Sequence, residues 1–140
     1  MLGQHKSTVK FYLDTSIWLD IIEKRGYHGE IAKQLMEKII LGGHEIVYSD
    51  VILKELKDLG YAQDDLYTII SIIKRKTQRV HKNDDQIAEA KKRAKQRNIP
   101  YGDVLHAVIA RDNEAQLISR DQDFLKLKDI AKVQRPEDII

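Results

Sequence analysis

The sequence predicts an α/β fold of three layers, α/β/α, with a five-stranded parallel sheet in the middle, and three observations lead to it. Short β-type apolar runs alternate with longer runs of helical period along the chain. Strands separated by helices are joined by right-handed crossovers, which make neighbouring strands parallel and cover both faces of the sheet. The 140 residues, 42% of them hydrophobic and two of them proline, are enough for one core and too few for a second. A single domain over residues 1–140 is therefore expected, with 1–8 as a flexible N-terminal tail.

Val9 to Leu13 is the first strand, and a helix from about Ser16 to Ile22 follows. Gly26 to Gly29 reads as a break, and Glu30 to Leu41 as the second helix, with Ile31, Leu35, Met36, Ile39 and Ile40 on one face. Gly42 and Gly43 stop that helix. Glu45 to Tyr48 forms the second strand, and the stretch SDVILKELKDL then turns helical, with Ser49 or Asp50 placed to cap its free N–H groups. A helix from Gln63 to Lys74 precedes a weak third strand at Gln78 to His81 and a basic helix from Asp84 to Gln96. Pro100 in NIPYG bars helix continuation, so a new helix is expected from Asp103 to Asp112. A fourth strand at Ala115 to Ser119, a short helical turn at Asp121 to Leu125 and a fifth strand at Ala131 to Gln134 complete the pattern before the tail RPEDII.

The chain has no cysteine, which excludes disulfides, thiolate nucleophiles and cysteine-based zinc sites, and its five histidines show no metal-ligand spacing. The longest apolar runs, Leu66 to Ile73 and Val104 to Ala110, fall short of the roughly 20 residues that span a bilayer. No signal sequence opens the chain, so a soluble cytoplasmic protein without a membrane partner is expected. Charge is unevenly placed: residues 74–97 carry ten Lys or Arg against three acids, while the rest of the chain carries a net −5. A basic segment in an otherwise acidic chain suits a polyanion, because neutralising phosphates releases counterions; its bland counterpart is a solvated helix face.

In parallel sheets, ligands bind beyond the carboxyl ends of the strands, where strand order reverses. Asp14 directly follows the first strand, and Asp121 follows the fourth after one further residue. Each also suits a plain helix N-cap. Glu55 is harder to explain that way. At about 100° per residue, it falls between Val51 and Leu59 in the apolar arc that also holds Ile52 and Leu56, opposite Lys54, Lys57 and Asp58. A carboxylate on a buried face needs an ion pair, hydrogen bonds or a cation. Asp103 opens a helix that is apolar from Val104 to Ala110 except at His106, on the side of Ala107 and Ala110, where the helix dipole alone would favour its charge. His106 lies off that row and reads as a hydrogen-bonded core histidine. If the first and fourth strands are neighbours, Asp14, Glu55, Asp103 and Asp121 converge, and their repulsion calls for a divalent cation. Carboxylate and water oxygens suit Mg2+ or Mn2+, which polarises a phosphoryl group and activates water.

These motifs resemble the PIN-domain family of metal-dependent nucleases, and within it the VapC-like toxin ribonucleases. FYLDTSIWLD resembles the family's opening aspartate motif, SDVILKEL its glutamate helix, IPYGDVLHAVIA its central aspartate helix and LISRDQDF its last acidic loop. The resemblance spans nearly the whole chain, in order and spacing. It implies strand order 3-2-1-4-5, Asp14 and Asp103 as principal metal ligands, Glu55 as the third acid and Asp121 as the fourth. Ser16 would support Asp14, and Asp123 would support Asp121. The resemblance further implies an endoribonuclease dependent on Mg2+ or Mn2+, acting on RNA, forming a homodimer and inhibited by a small antitoxin protein. Arg120, Lys91, Lys92, Arg93 and Lys95 are candidate contacts to the RNA backbone. Other readings are a PIN-like RNA-processing nuclease without an antitoxin, a non-catalytic binding module that keeps the acidic pocket, and a phosphotransfer domain with Asp14 as acceptor. For the last of these, DTS lacks the second aspartate of a DxD motif.

Overall fold

The computed structural model describes residues 8–73 and 76–140; the predicted N-terminal tail lies outside these residues but for Thr8, as does Lys74 at the end of the predicted fourth helix. Five strands, β1 (Lys10–Leu13), β2 (Glu45–Ser49), β3 (Thr77–Val80), β4 (Ala115–Ile118) and β5 (Val133–Gln134), form one parallel sheet in the order β3-β2-β1-β4-β5. Around it lie α1 (Thr15–Glu23), α2 (Gly26–Leu41), α3 (Asp50–Asp58), α4 (Gln63–Ile73), α5 (Asp84–Arg97), α6 (Tyr101–Asp112) and α7 (Pro136–Ile139), with a 3-10 turn at Gln122–Leu127. The class and the strand order are those predicted.

The chain builds outward from β1 through β2 to β3, then returns across β1 to place β4 and β5 on its other side. The reversal therefore falls between β1 and β4, where the register pairs Leu13 with Ile118. Asp14 and Ser119 leave this edge side by side, and the Asp14 N–H extends the ladder to the Ile118 carbonyl at 3.1 Å. Tyr12, Leu13, Ile46, Val47, Leu117 and Ile118 are fully buried, as strands covered on both faces require. Every residue of α6 from Val104 to Ala110 is buried, and α5 lies over it. Asp14 caps α1, and of the two candidates for α3 it is Ser49 that caps, its Oγ accepting from Ile52 N at 3.4 Å. Asn83 and Gln86 form a capping box at the start of α5. Among the described residues, no helix is long and apolar enough to cross a membrane.

Several boundaries differ from expectation, each for a local reason. Residues 26–29 are the first turn of α2 and not a break. A Cβ on Gly29 would stand 2.6 Å from the Lys24 carbonyl carbon, so this glycine serves a close approach of backbones between α1 and α2. Helix α6 begins at Tyr101, since Pro100 fits its N-cap without needing an N–H, and Asp103 sits inside the first turn. The predicted tail contains α7, begun by Pro136 at a position where proline is favoured. Leu59, placed in the apolar arc of the third helix, is 58% exposed because α3 ends at Asp58.

Candidate active site

The carboxyl edge of β1 and β4 gathers polar side chains at the rim of an apolar core. Asp14 is buried, and all its carboxylate contacts are donors from this edge: Ser16 Oγ at 2.6 Å and Ile17 N at 3.3 Å to Oδ1, and Ser119 Oγ at 2.7 Å to Oδ2. Burial raises the Asp14 pKa, and the hydrogen bonds from Ser16 and Ser119 offset part of that rise. Ser119 Oγ also accepts from the N–H of Asp121 at 3.0 Å, so one hydroxyl joins two acids of the site. Asp121 in turn accepts from the N–H of Asp123 at 2.9 Å, which starts the 3-10 turn and holds the two side chains in the same loop.

Asp103, Asp121 and Asp123 each present a carboxylate oxygen within 4.8 Å of the others. Asp103 is half-buried, and burial first, then the charge of Asp121, lifts its pKa to about 6; Asp123 and Asp14 add to the rise while His106 opposes it. Glu55 lies beside this group and not in it. Its Oε1 stands 3.8 Å from the point a Cβ on Gly102 would occupy, directly before Asp103. Thr15 Oγ1 donates to Oε2 at 2.7 Å, and His106 Nε2 contacts Oε1 at 2.6 Å. Burial pushes Glu55 up, but the contacts with His106 and Thr15 outweigh it and leave the pKa below the usual glutamate value.

Two of the candidate RNA-binding cations are engaged inside the protein. Arg120 grips the buried Asp20 through Nε at 2.8 Å and a terminal nitrogen at 3.2 Å, and Arg93 Nε donates to Glu89 at 2.7 Å. Lys91, Lys92 and Lys95 are exposed on α5 and have no salt bridge among the described residues. The arrangement thus brings Asp103, Asp121 and Asp123 together, sets Asp14 and Glu55 at the flanks, and leaves a small cluster of solvated lysines. A separate cavity of about 650 Å³ is lined by Ile21, Met36, Ile40 and Ile69 among others, and by none of these acids.

Thr15, Ser119 and Tyr12 went unmarked in the sequence, and His106 was read as a core residue only. The usable signals are short: Thr15 and Ser119 sit near strand ends, and His106 lies within one helical turn of Asp103.

The PIN-domain family model matches residues 11–130. The chain belongs to the PIN-domain family. Its fold is shared with VapBC2 of Rickettsia felis, crystallised with a promoter DNA fragment, at a TM-score of 0.66 and 18% identity over 91% of this chain and 98% of that one. It is also shared with VapC20 of Mycobacterium tuberculosis, a toxin that cleaves the sarcin-ricin loop, at 0.63 and 17% over 84% and 94%. PAE2754 of Pyrobaculum aerophilum aligns at 0.61 and 14% over 94% of both chains. No curated protein matches the sequence. At these identities the structural matches speak for the PIN fold.

Proposed function

We propose that this PIN domain is an endoribonuclease dependent on Mg2+ or Mn2+, and the toxin component of a toxin–antitoxin pair. The observation that carries the reading is the convergence of Asp103, Asp121 and Asp123 next to Asp14 at the strand-order reversal. The donor set fits a hard divalent cation: the clustered atoms are carboxylate oxygens, no thiolate is present, and burial together with the neighbouring acids raises Asp103 to about 6. Asp103, Asp121 and Asp123, with Asp14 alongside, are the residues that would hold it. When bound, such a cation supplies positive charge against the phosphate and makes water more acidic.

The chain's own residues divide the remaining work. Asp14, fixed by Ser16 and Ser119, keeps a carboxylate at the carboxyl edge of β1. Glu55, held at both oxygens by Thr15 and His106, would orient water beside a bound phosphodiester. Lys91, Lys92 and Lys95 offer the RNA backbone a charged track, and Arg120 adds a cation next to Asp121. The solved VapBC neighbour and a toxin–antitoxin complex from Klebsiella pneumoniae, at 19% identity, support a small antitoxin as partner; a homodimer is proposed with it.

The test is cleavage of labelled structured RNA with Mg2+, with Mn2+ and in EDTA. Cleavage is expected with either ion, none in EDTA, and severe loss in Asp14→Asn, which keeps the cap oxygen of α1. Activity unchanged by chelator or by that substitution overturns the reading. Co-expression with the product of a neighbouring short reading frame, followed by sizing of the complex, tests the antitoxin.

A further inference from the structure

Tyr12 is fully buried in the central strand, yet it ends in a hydroxyl. That hydroxyl lies 2.6 Å from Ser49 Oγ at the end of β2 and 2.7 Å from His106 Nδ1 on α6. Across the ring, His106 Nε2 is 2.6 Å from Glu55 Oε1, while Thr15 Oγ1 holds Glu55 Oε2. An ionised carboxylate only accepts hydrogen bonds, so Nε2 carries the hydrogen. In the neutral ring, Nδ1 then accepts from Tyr12, and Tyr12 accepts from Ser49. Three hydrogen bonds run in one direction from the sheet to a single carboxylate, and Thr15 completes its second oxygen.

Phenylalanine at 12 and leucine at 106 would fill similar space with no buried polar atoms to satisfy, so packing gives no reason for these groups. The carboxylate they hold stands beside the acidic group. Its Oε1 is 3.8 Å from where a Gly102 Cβ would be, and His106 sits on the same helix as Asp103, three residues on. We propose that His106, backed by Tyr12 and Ser49, is a positioning residue that aims Glu55 at Asp103 and the acids clustered with it, and that this aim sets the affinity of the site for a divalent cation. The inference rests on reading these acids as a cation site and does not need RNA to be the substrate.

Mn2+ alone, titrated calorimetrically into the full chain, is the probe. His106→Leu is expected to weaken Mn2+ binding about 10- to 100-fold, the usual cost of losing the partner that orients a ligand. His106→Gln, whose amide N–H reaches toward Glu55 from the same side, is expected to restore most of it, and Tyr12→Phe to fall in between. Equal weakening by Leu and Gln, or wild-type affinity in folded His106→Leu, overturns the proposal. If His106→Leu fails to fold, Tyr12→Phe decides, since it keeps the ring in the core; unchanged Mn2+ affinity in that variant overturns the proposal too, as does a wild type that binds no Mn2+. Proton–nitrogen correlation spectra of the metal-free protein give a second readout: a slowly exchanging His106 Nε2–H is expected, lost in Glu55→Ala, and a ring protonated at Nδ1 alone overturns the assignment. RNA cleavage on the same samples separates the two readings. Mn2+ binding that depends on His106 without cleavage of any RNA defeats the nuclease and leaves the positioning role standing, whereas cleavage with wild-type Mn2+ affinity in both variants defeats the positioning role alone.

Discussion

Removing the charge of Asp103 is expected to make the metal-free protein more stable while disabling the site. Burial, then the charges of Asp121, Asp123 and Asp14, lift the Asp103 pKa from 3.8 to about 6. An increase of that size on folding corresponds to about 3 kcal/mol of destabilisation near neutral pH if nothing screens it. Water reaching the half-buried carboxylate reduces this to about 1–1.5 kcal/mol, or about 3–5 °C in Tm for a chain of this length. Asp103→Asn keeps the shape and loses the charge, so the variant should melt higher than wild type in EDTA near neutral pH. The pH dependence follows from the sign. An acid whose folded pKa is raised destabilises while ionised and ceases to as it protonates, so the gap between the proteins should shrink below about pH 6 and close near 3.8. Excess Mn2+ should reverse the order of melting by stabilising wild type alone. A variant no more stable than wild type in EDTA near neutral pH refutes the view that burial and the neighbouring acids together penalise the Asp103 charge in the fold.

Three further outcomes are expected. Glu89 takes both terminal nitrogens of Arg111 and the Nε of Arg93, each at 2.7 Å, and the Arg111 hydrogen bonds above all hold its pKa at about 2. Glu89→Gln should cost about 1–2 kcal/mol near neutral pH; urea denaturation of wild type should show this contribution intact above pH 4.5 and lost as pH falls toward about 2. Gly29→Ala should destabilise by about 1–3 kcal/mol in the same assay, because the new methyl meets the Lys24 backbone; wild-type stability would dismiss the close-approach explanation. Replacing Lys91, Lys92 and Lys95 together by Gln should reduce the log–log salt slope of RNA binding by about 2–3 without changing the melting temperature, and an unchanged slope would place the RNA elsewhere.

The alternation of apolar periods made the sheet and its helices legible, because period and burial are local properties of the chain. Asp14 and Asp121 stood out for a related reason: each follows a strand, and parallel sheets put such residues on the ligand edge. Partnerships across the fold were not legible. Glu55 was marked as an acid in need of a partner, but its partner His106 is 51 residues away; Ser119 and Asp14 are separated by 105 residues, and Arg120 and Asp20 by 100. No spacing rule reaches that far; within the basic segment, Arg93 pairs with Glu89 one turn away, which spacing allows, whereas Arg97 pairs with Asp129, 32 residues on, which it does not. Gly29 misled differently. A glycine is equally at home in a break and under a crossing backbone, and only the packing of α1 on α2 tells which.

Ser119 sits between the Asp14 carboxylate and the backbone N–H of Asp121, so one hydroxyl ties the end of β1 to the start of the last acidic loop. The backbone of that edge is thus tied together by the fold itself. An ion held there would meet a loop whose backbone is already anchored, and would have only the side chains of Asp121 and Asp123 left to order.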